Sequence, residues 1–311
     1  MSRRFLVTGG AGFIGSHLCR SLVNRGDEVV ILDSLDSGNP DNIRDLLVYP
    51  KVTFVQGSIE DYPLVESLCT DIDGIFHLAA LVSVQRSIDD PKLNHRINVD
   101  GTFNIFESAR IMRVPKIVLA SSAALYGNSY DPPHKESFPA DPLSPYAAGK
   151  YSGEVYSSVY SLYGVSTVSL RFFNVYGPNQ DPSSPYSGVI SRFLDATIKG
   201  GACTILGDGN QTRDFVYVHD VVSALLLSMD SDTRGVFNVG TGNATSILLL
   251  AQEIMKVAGK DGEIRFREAR EGEVRHSSAD ISKITAVMGY HPEFSLPLGL
   301  QETYAWWIRQ H

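Results

Sequence analysis

The stretch "VTGGAGFIGSHL" constrains this chain more than any other. It continues the apolar run "RFLV" and opens a helical stretch, "FIGSHLCRSLVNRG", that closes at Gly26. Gly9, Gly12 and Gly15 stand in the spacing G-x-x-G-x-x-G. Glycine at a strand-to-helix turn lets backbone N–H groups approach a pyrophosphate at the positive end of the helix. A tight turn without any ligand would explain the glycines alone. Asp33 separates the two readings. It ends the next strand, "EVVILD", 24 residues after Gly9, where a carboxylate can accept both ribose hydroxyls of an adenosine. A 2′-phosphate would be repelled there, and no arginine follows in "DSLDSGN". The expected cofactor is NAD rather than NADP.

The rest of the first half repeats the strand–helix alternation. "VTFVQGSI", "GIFHLAA", "KIVLASS" and "STVSLRFFNVYG" read as further strands, separated by helical stretches such as "VDGTFNIFESARIM". That pattern predicts an α/β fold: a Rossmann-type, doubly wound parallel sheet covered on both faces. After Tyr176 the chain becomes rich in Pro, Gly, Ser and Asn, and the loop "GPNQDPSSPYSG" follows. "DFVYVHDVVSALLLSM" reads as a strand and helix returning to the first domain. "VISRFLDATIKGG", "CTILGDG", "SILLLAQEIMKVAG" and "LGLQETYAWWIRQ" belong to a smaller, discontinuous C-terminal domain. The expected division is 1–175 plus about 214–242 for the cofactor, and about 176–213 plus 243–311 for the substrate.

Composition narrows the class. The 311 residues are 43% hydrophobic, ample for a large core, and carry a formal charge of −8, which disfavours nucleic acid as a partner. No stretch approaches the roughly 18 unbroken apolar residues of a membrane span. "MSRRFLVTGG" lacks the long apolar region of a secretion signal. Cys19, Cys69 and Cys203 lie far apart without metal-like spacing, so reduced core thiols and a cytoplasmic location are expected, with no metal.

A second motif points to chemistry. In "SPYAAGK", Ser144 can cap a helix that Pro145 begins. Tyr146 and Lys150 then share a face at i and i+4. The positive helix terminus and the nearby ammonium both favour phenolate, which would bring the phenol down from about 10 towards a useful base. Ser122 ends the strand "KIVLASS" upstream, placed to hydrogen-bond the same substrate hydroxyl.

Together these residues resemble the extended short-chain dehydrogenase/reductase family, and within it the NAD-dependent UDP-hexose 4-epimerases. The likeness runs through the whole chain, on "TGGAGFIG", "HLAA", "NVDGT", "SSAALYG", "YAAGK", "LRFFNVYGP", "RDFVYVHDV", "FNVGTG" and "REGEVRHSSAD". It implies cofactor contacts at Gly9, Gly12, Phe13, Ile14, Gly15, Asp33, Ser58, Ile59, Leu78, Ala79, Ala80, Asn98, Tyr146 and Lys150. It implies UDP-hexose contacts at Ser83, Ser122, Tyr146, Asn174, Val189, Arg213, Arg270 and Ser277, the two arginines on the diphosphate. The implied cycle is oxidation and re-reduction at C4: Tyr146 takes the hydroxyl proton, the hydride passes to tightly held NAD+, the 4-keto sugar turns over, and both return to the other face. Lys150 holds the nicotinamide ribose and Ser122 the C4 oxygen. The resemblance also implies a homodimer through a four-helix bundle, built from the helix near Phe103–Met112 and the catalytic helix.

Departures from the family pattern are informative. Sugar-nucleotide 4,6-dehydratases carry Asp-Glu before the tyrosine of the "YG" motif, and UDP-glucuronate decarboxylases a Glu; this chain has Ala123 and Ala124. Ser58 replaces the usual Asp near adenine, which implies weaker or backbone-only contact there. Ser277 stands where epimerases restricted to glucose and galactose place a tyrosine. Room for an N-acetyl group follows, with the smaller sugars still admitted. The alternatives are a UDP-glucuronate 4-epimerase, a keto-sugar reductase, which Asp33 disfavours, and a non-catalytic dinucleotide-binding regulator. His17, His77 and His219 are expected to be structural.

Overall fold

The computed structural model describes residues 2–180, 188–260, 262–269 and 274–310. Its strands are β1 (Arg4–Thr8), β2 (Glu28–Asp33), β3 (Val52–Gln56), β4 (Gly74–His77), β5 (Lys116–Ser122), β6 (Ser166–Phe172), β7 (Asn174–Tyr176), β8 (Cys203–Leu206), β9 (Thr212–Arg213), β10 (Phe215–Tyr217), β11 (Gly235–Val239), β12 (Thr245–Ser246) and β13 (Ile264–Arg267). The helices are α1 (Phe13–Asn24), α2 (Tyr62–Leu68), α3 (Val84–Asp89), α4 (Pro91–His95), α5 (Thr102–Ile111), α6 (Pro145–Ser161), α7 (Val189–Ile198), α8 (Val218–Asp230), α9 (Ile247–Ala258), α10 (Ser282–Met288) and α11 (Leu296–Gln310).

Seven strands form one sheet in the order β11-β6-β5-β4-β1-β2-β3. Every pairing within it is parallel. All seven residues of β5, "KIVLASS", are buried, as a strand covered on both faces should be. One core packs Leu18 and Leu22 of α1 and Val221 and Leu225 of α8 against Val7, Val118 and Val168. The opposite core packs Val65 of α2, Ile105 and Phe106 of α5 and Tyr160 of α6 against Leu6, Ile75 and Leu119. This is the expected α/β, Rossmann-type arrangement. The strand order reverses beside β1, which opens a crevice at the carboxyl ends of β1 and β4.

One expected strand is divided. "STVSLRFFNVYG" leaves the main sheet at Phe173, whose N–H donates to Val239 O at 3.0 Å. Asn174 N–H donates instead to Asp214 O at 2.9 Å, and β7 pairs with β10 in a separate two-stranded sheet. β8 pairs with β13 and β9 with β12. These small sheets, with α7, α9 and α11, enclose a third core around Phe193, Leu194, Leu250 and Trp307.

Candidate active site

The glycine turn presses against the end of β4. Gly9 has φ +72°, and a Cβ on it would lie 2.8 Å from Ala79 N. A Cβ on Gly15 would lie 2.1 Å from Gly9 O, so α1 can begin this close to β1 only with glycine there. Gly12 precedes Phe13 and Ile14 in the first turn of α1. Leu78, Ala79 and Ala80 form the opposite lip. Leu78 N–H donates to Thr8 O at 3.1 Å and Ala79 N–H to Thr8 Oγ1 at 3.2 Å.

Asp33 sits at the end of β2 and is buried. Its Oδ2 accepts the Ala11 N–H and its Oδ1 the Leu35 N–H, each at 2.9 Å. Each oxygen keeps a further lone pair, the acceptor set that a vicinal ribose diol needs. The cradle therefore fits a dinucleotide: glycines where phosphates must approach, and a pinned carboxylate beside them. Ser58 turns its hydroxyl to its own loop, where it accepts the Glu60 N–H at 3.1 Å, and Ile59 beside it is buried. Asn98 accepts the Leu81 N–H at 2.8 Å and donates to Leu81 O at 3.0 Å. It thus holds the loop carrying Ala79 and Ala80.

Ser122, Tyr146 and Lys150 come from two neighbouring elements. Ser122 ends β5 and caps a 3-10 turn over Ala123–Tyr126, its Oγ accepting the Ala124 N–H at 3.1 Å. Ser144 caps α6 as the sequence predicts, accepting the Ala147 N–H at 3.2 Å, and Pro145 opens the helix. Tyr146 N–H donates to Ser87 Oγ at 3.1 Å and Asn94 Nδ2 to Pro145 O at 2.8 Å, which fixes the helix start against α3 and α4. Lys150 Nζ is buried and donates to Ala120 O at 2.9 Å. Burial holds its ammonium down, at about 8.

The phenol departs from expectation. Desolvation pushes Tyr146 above its ordinary value, and the hydrogen bond with Ser122 pulls only partly against it.

The substrate candidates divide. Ser83 caps α3 through the Arg86 N–H at 3.0 Å. Asn174 is exposed at the start of β7, and Val189 opens α7 behind Gly188. Arg213 Nη1 donates to Thr212 O at 2.8 Å and Arg275 O at 3.2 Å. Ser277 N–H donates to Thr212 O at 3.1 Å, so Ser277 and Arg213 share one edge. Ser277 is 9% exposed. Arg270 lies outside the described residues.

The three histidines serve structure. His77 lies between Thr8 Oγ1 at 2.7 Å and Thr102 Oγ1 at 3.1 Å, and burial pushes it down to about 3. His17 Nε2 donates to Pro178 O at 2.9 Å, and its ring meets that of His219 edge-on. Among the described residues no cluster of His, Cys, Asp and Glu could hold a metal ion. No helix among them is long and apolar enough to cross a membrane.

A family model described as GDP-mannose 4,6 dehydratase matches residues 6–303. The chain belongs to this family, within the extended short-chain dehydrogenases/reductases. A UDP-glucose 4-epimerase of Mycolicibacterium smegmatis is 41% identical over 96% of this chain and 97% of its own length. Among solved structures, a UDP-N-acetylglucosamine 4-epimerase from Methanobrevibacter ruminantium M1, in complex with UDP-N-acetylmuramic acid, superposes with a TM-score of 0.96 at 38% identity. It covers 100% of this chain and 99% of its own. A UDP-glucuronic acid 4-epimerase from Bacillus cereus, in complex with UDP-glucuronic acid and NAD, gives 0.91 at 32% identity, over 99% and 100%. Ser122 ends β5, and Tyr146 and Lys150 lie one turn apart on α6.

Four polar residues not singled out from the sequence support the site: Ser87 and Asn94 at the start of α6, and Glu154 and Arg171 beneath it. Glu154 was findable, since it continues the Tyr146 and Lys150 face by one more turn.

Proposed function

We propose that the chain is an NAD-dependent UDP-hexose 4-epimerase that works through a 4-keto sugar, on UDP-glucose/UDP-galactose and on UDP-GlcNAc/UDP-GalNAc. The observation that carries this reading is the company Ser122 keeps. It stands with Tyr146 and Lys150, and the turn that follows it offers Ala123 and Ala124 in place of a carboxylate. Proton removal from C5, as a dehydratase needs, has no base there. Chemistry confined to C4 is what the site can stage.

NAD, when bound, supplies the two-electron acceptor that takes the C4 hydrogen and gives it back, and its oxidised ring adds positive charge. The residues of the chain do the rest. Tyr146 Oη takes the proton of the C4 hydroxyl and later returns it. Ser122 Oγ holds the C4 oxygen. Lys150 holds the nicotinamide ribose and, as a buried ammonium, favours the phenolate. Gly9, Gly12 and Gly15 admit the pyrophosphate, and Asp33 takes the adenosine ribose. Residues 176–213 and 243–311 hold the UDP-sugar, with Arg213 and Arg270 on its diphosphate and Asn174, Ser83 and Val189 lining its path.

Small Ser277 supports acceptance of the N-acetylated sugars. The test is to incubate the protein separately with UDP-glucose, UDP-GlcNAc and UDP-glucuronate, without added cofactor, and follow the anomeric proton signals. Galacto-epimers of the first two are expected. Turnover of UDP-glucuronate alone would move the substrate assignment. No turnover even with NAD+ would sink the reading.

The functional unit in this proposal is a homodimer. α5 and α6 lie side by side and expose Phe103 and Ile111, and Tyr151, Val155 and Val159, along one apolar face. A second copy of the same pair of helices would cover it as a four-helix bundle. Sedimentation of the wild type as a dimer and of Val155→Glu as a monomer is expected; a monomeric wild type would refute it.

A further inference from the structure

α6 carries an acid that the reaction does not use. Glu154 lies one turn beyond Lys150 and two beyond Tyr146, on the same face. Its side chain is 5% exposed, and so is that of Arg171 on β6. The guanidinium meets the carboxylate through two bonds, Nε to Oε1 at 2.9 Å and Nη2 to Oε2 at 2.8 Å. Ser121 Oγ donates to the same Oε1 at 2.6 Å. Ser121 immediately precedes Ser122. Arg171 also lies over the ring of Tyr126, 4.8 Å from its centroid. Tyr126 closes the short turn that Ser122 opens, and its hydroxyl donates to Asn238 Oδ1 at 2.6 Å.

Stability gives a weak reason for such a pair. Well-packed apolar side chains of similar volume often do as well as two buried charges, because desolvation offsets their attraction. Geometry gives a stronger one. Apolar packing alone leaves a helix some freedom to slide or roll on a sheet. A bidentate fork has one register, and here it binds the helix of Tyr146 and Lys150 to the strand beside Ser122 and to the turn after it. A misplacement of about 1 Å between reacting groups can cost about a hundredfold in rate.

We propose that Arg171, Glu154 and Ser121 form a positioning clamp that locks α6 onto β5 and β6 and so sets the separation of the Tyr146 and Ser122 hydroxyls. The proposed reaction assigns none of the three a chemical step. They act through the residues they hold.

The kinetic arm of the test rests on the proposed reaction; the spectroscopic arm does not. Arg171→Lys keeps the charge and loses the fork. Glu154→Asp shortens the reach. Arg171→Met with Glu154→Leu replaces the pair by apolar bulk. Ser121→Ala deletes one bond and no charge, and decides the matter if the others do not fold. In the NAD-bound enzyme, each folded variant is expected to keep its NAD and its KM within about threefold, while kcat falls by about tenfold or more. The Tyr146 phenol, titrated by ultraviolet difference absorbance against the same variant carrying Tyr146→Phe, should shift by about one unit. Wild-type kcat in a folded variant overturns the clamp. So does a loss of kcat that merely follows lost NAD or raised KM. If the wild type itself turns over no UDP-hexose, the proposed function fails, and the titration still decides the clamp: an unmoved phenol overturns it.

Discussion

Lys150 Nζ donates to the carbonyl of Ala120 at 2.9 Å, two residues before Ser122. This bond brings the ammonium under the carboxyl end of β5, where burial lowers it from an ordinary 10.5 to about 8. The folded chain therefore releases this proton earlier than the unfolded chain. The burden on stability is complete below pH 8 and lifts as pH rises from there to about 10.5, a span worth about 3 kcal/mol. Lys150→Met should stabilise the NAD-free protein at pH 7 by up to that amount, with the gap closing near pH 10. Urea unfolding of both proteins at the two pH values measures it. An equal gap at both would mean that desolvation of the ammonium is not its source.

Tyr146 supplies the sharpest test of chemistry. The Phe variant keeps the ring, the helix and the contact of the Tyr146 backbone N–H with Ser87, and loses only the hydroxyl. General base removal of this kind is expected to lower kcat by about 10²–10⁴-fold while NAD stays bound. Nucleotide content after denaturation and turnover of UDP-glucose report the two separately. A loss below tenfold would take Tyr146 out of proton transfer.

Gly15→Ala tests the cradle. The new methyl would meet Gly9 O at 2.1 Å and Gly10 Cα at 2.7 Å, both backbone atoms with nowhere to go. Either α1 moves off β1 or the turn opens. A destabilisation of about 3 kcal/mol, the upper end for overpacking, is expected together with loss of co-purifying NAD. A thermal melt and the absorbance of released nucleotide check it. Retained NAD at wild-type melting temperature would show that the turn tolerates a Cβ.

The parallel sheet was legible because its strands are apolar runs of the right length between helical stretches, and "KIVLASS" is buried at every position. The glycine turn and Asp33 were legible because their spacing is local. Other features depend on partners distant in sequence. Nothing in "STVSLRFFNVYG" marks Phe173 as the place where one strand becomes two; Val239 and Asp214 decide that, each pairing with a different side of the break. Arg171 read as a strand residue like its neighbours until the packing of α6 brought Glu154 to it. The burial of Tyr146 was hidden for a related reason. The helix terminus and Lys150 are visible in sequence, whereas the desolvation that raises the phenol belongs to the packed state.

Ser277 carries the last prediction. Its N–H is held by Thr212 O at 3.1 Å, and the residue is buried on the edge it shares with Arg213. Ser277→Tyr would add an aromatic ring to that confined edge. In the proposed substrate orientation the ring takes the room of a C2 N-acetyl group, and a C2 hydroxyl still fits. Turnover of UDP-GlcNAc should therefore fall by at least about a hundredfold, since a steric clash rejects what is larger far better than a roomy pocket rejects what is smaller. Turnover of UDP-glucose should change by less than about threefold, as removing unneeded room leaves the smaller sugar's contacts in place. Equal loss of both activities would mean that the ring disturbs Thr212 and Arg213 instead. No loss of either would place the N-acetyl group elsewhere, and Ser277 would then be a packing residue of the 274–280 segment with no part in choosing the sugar.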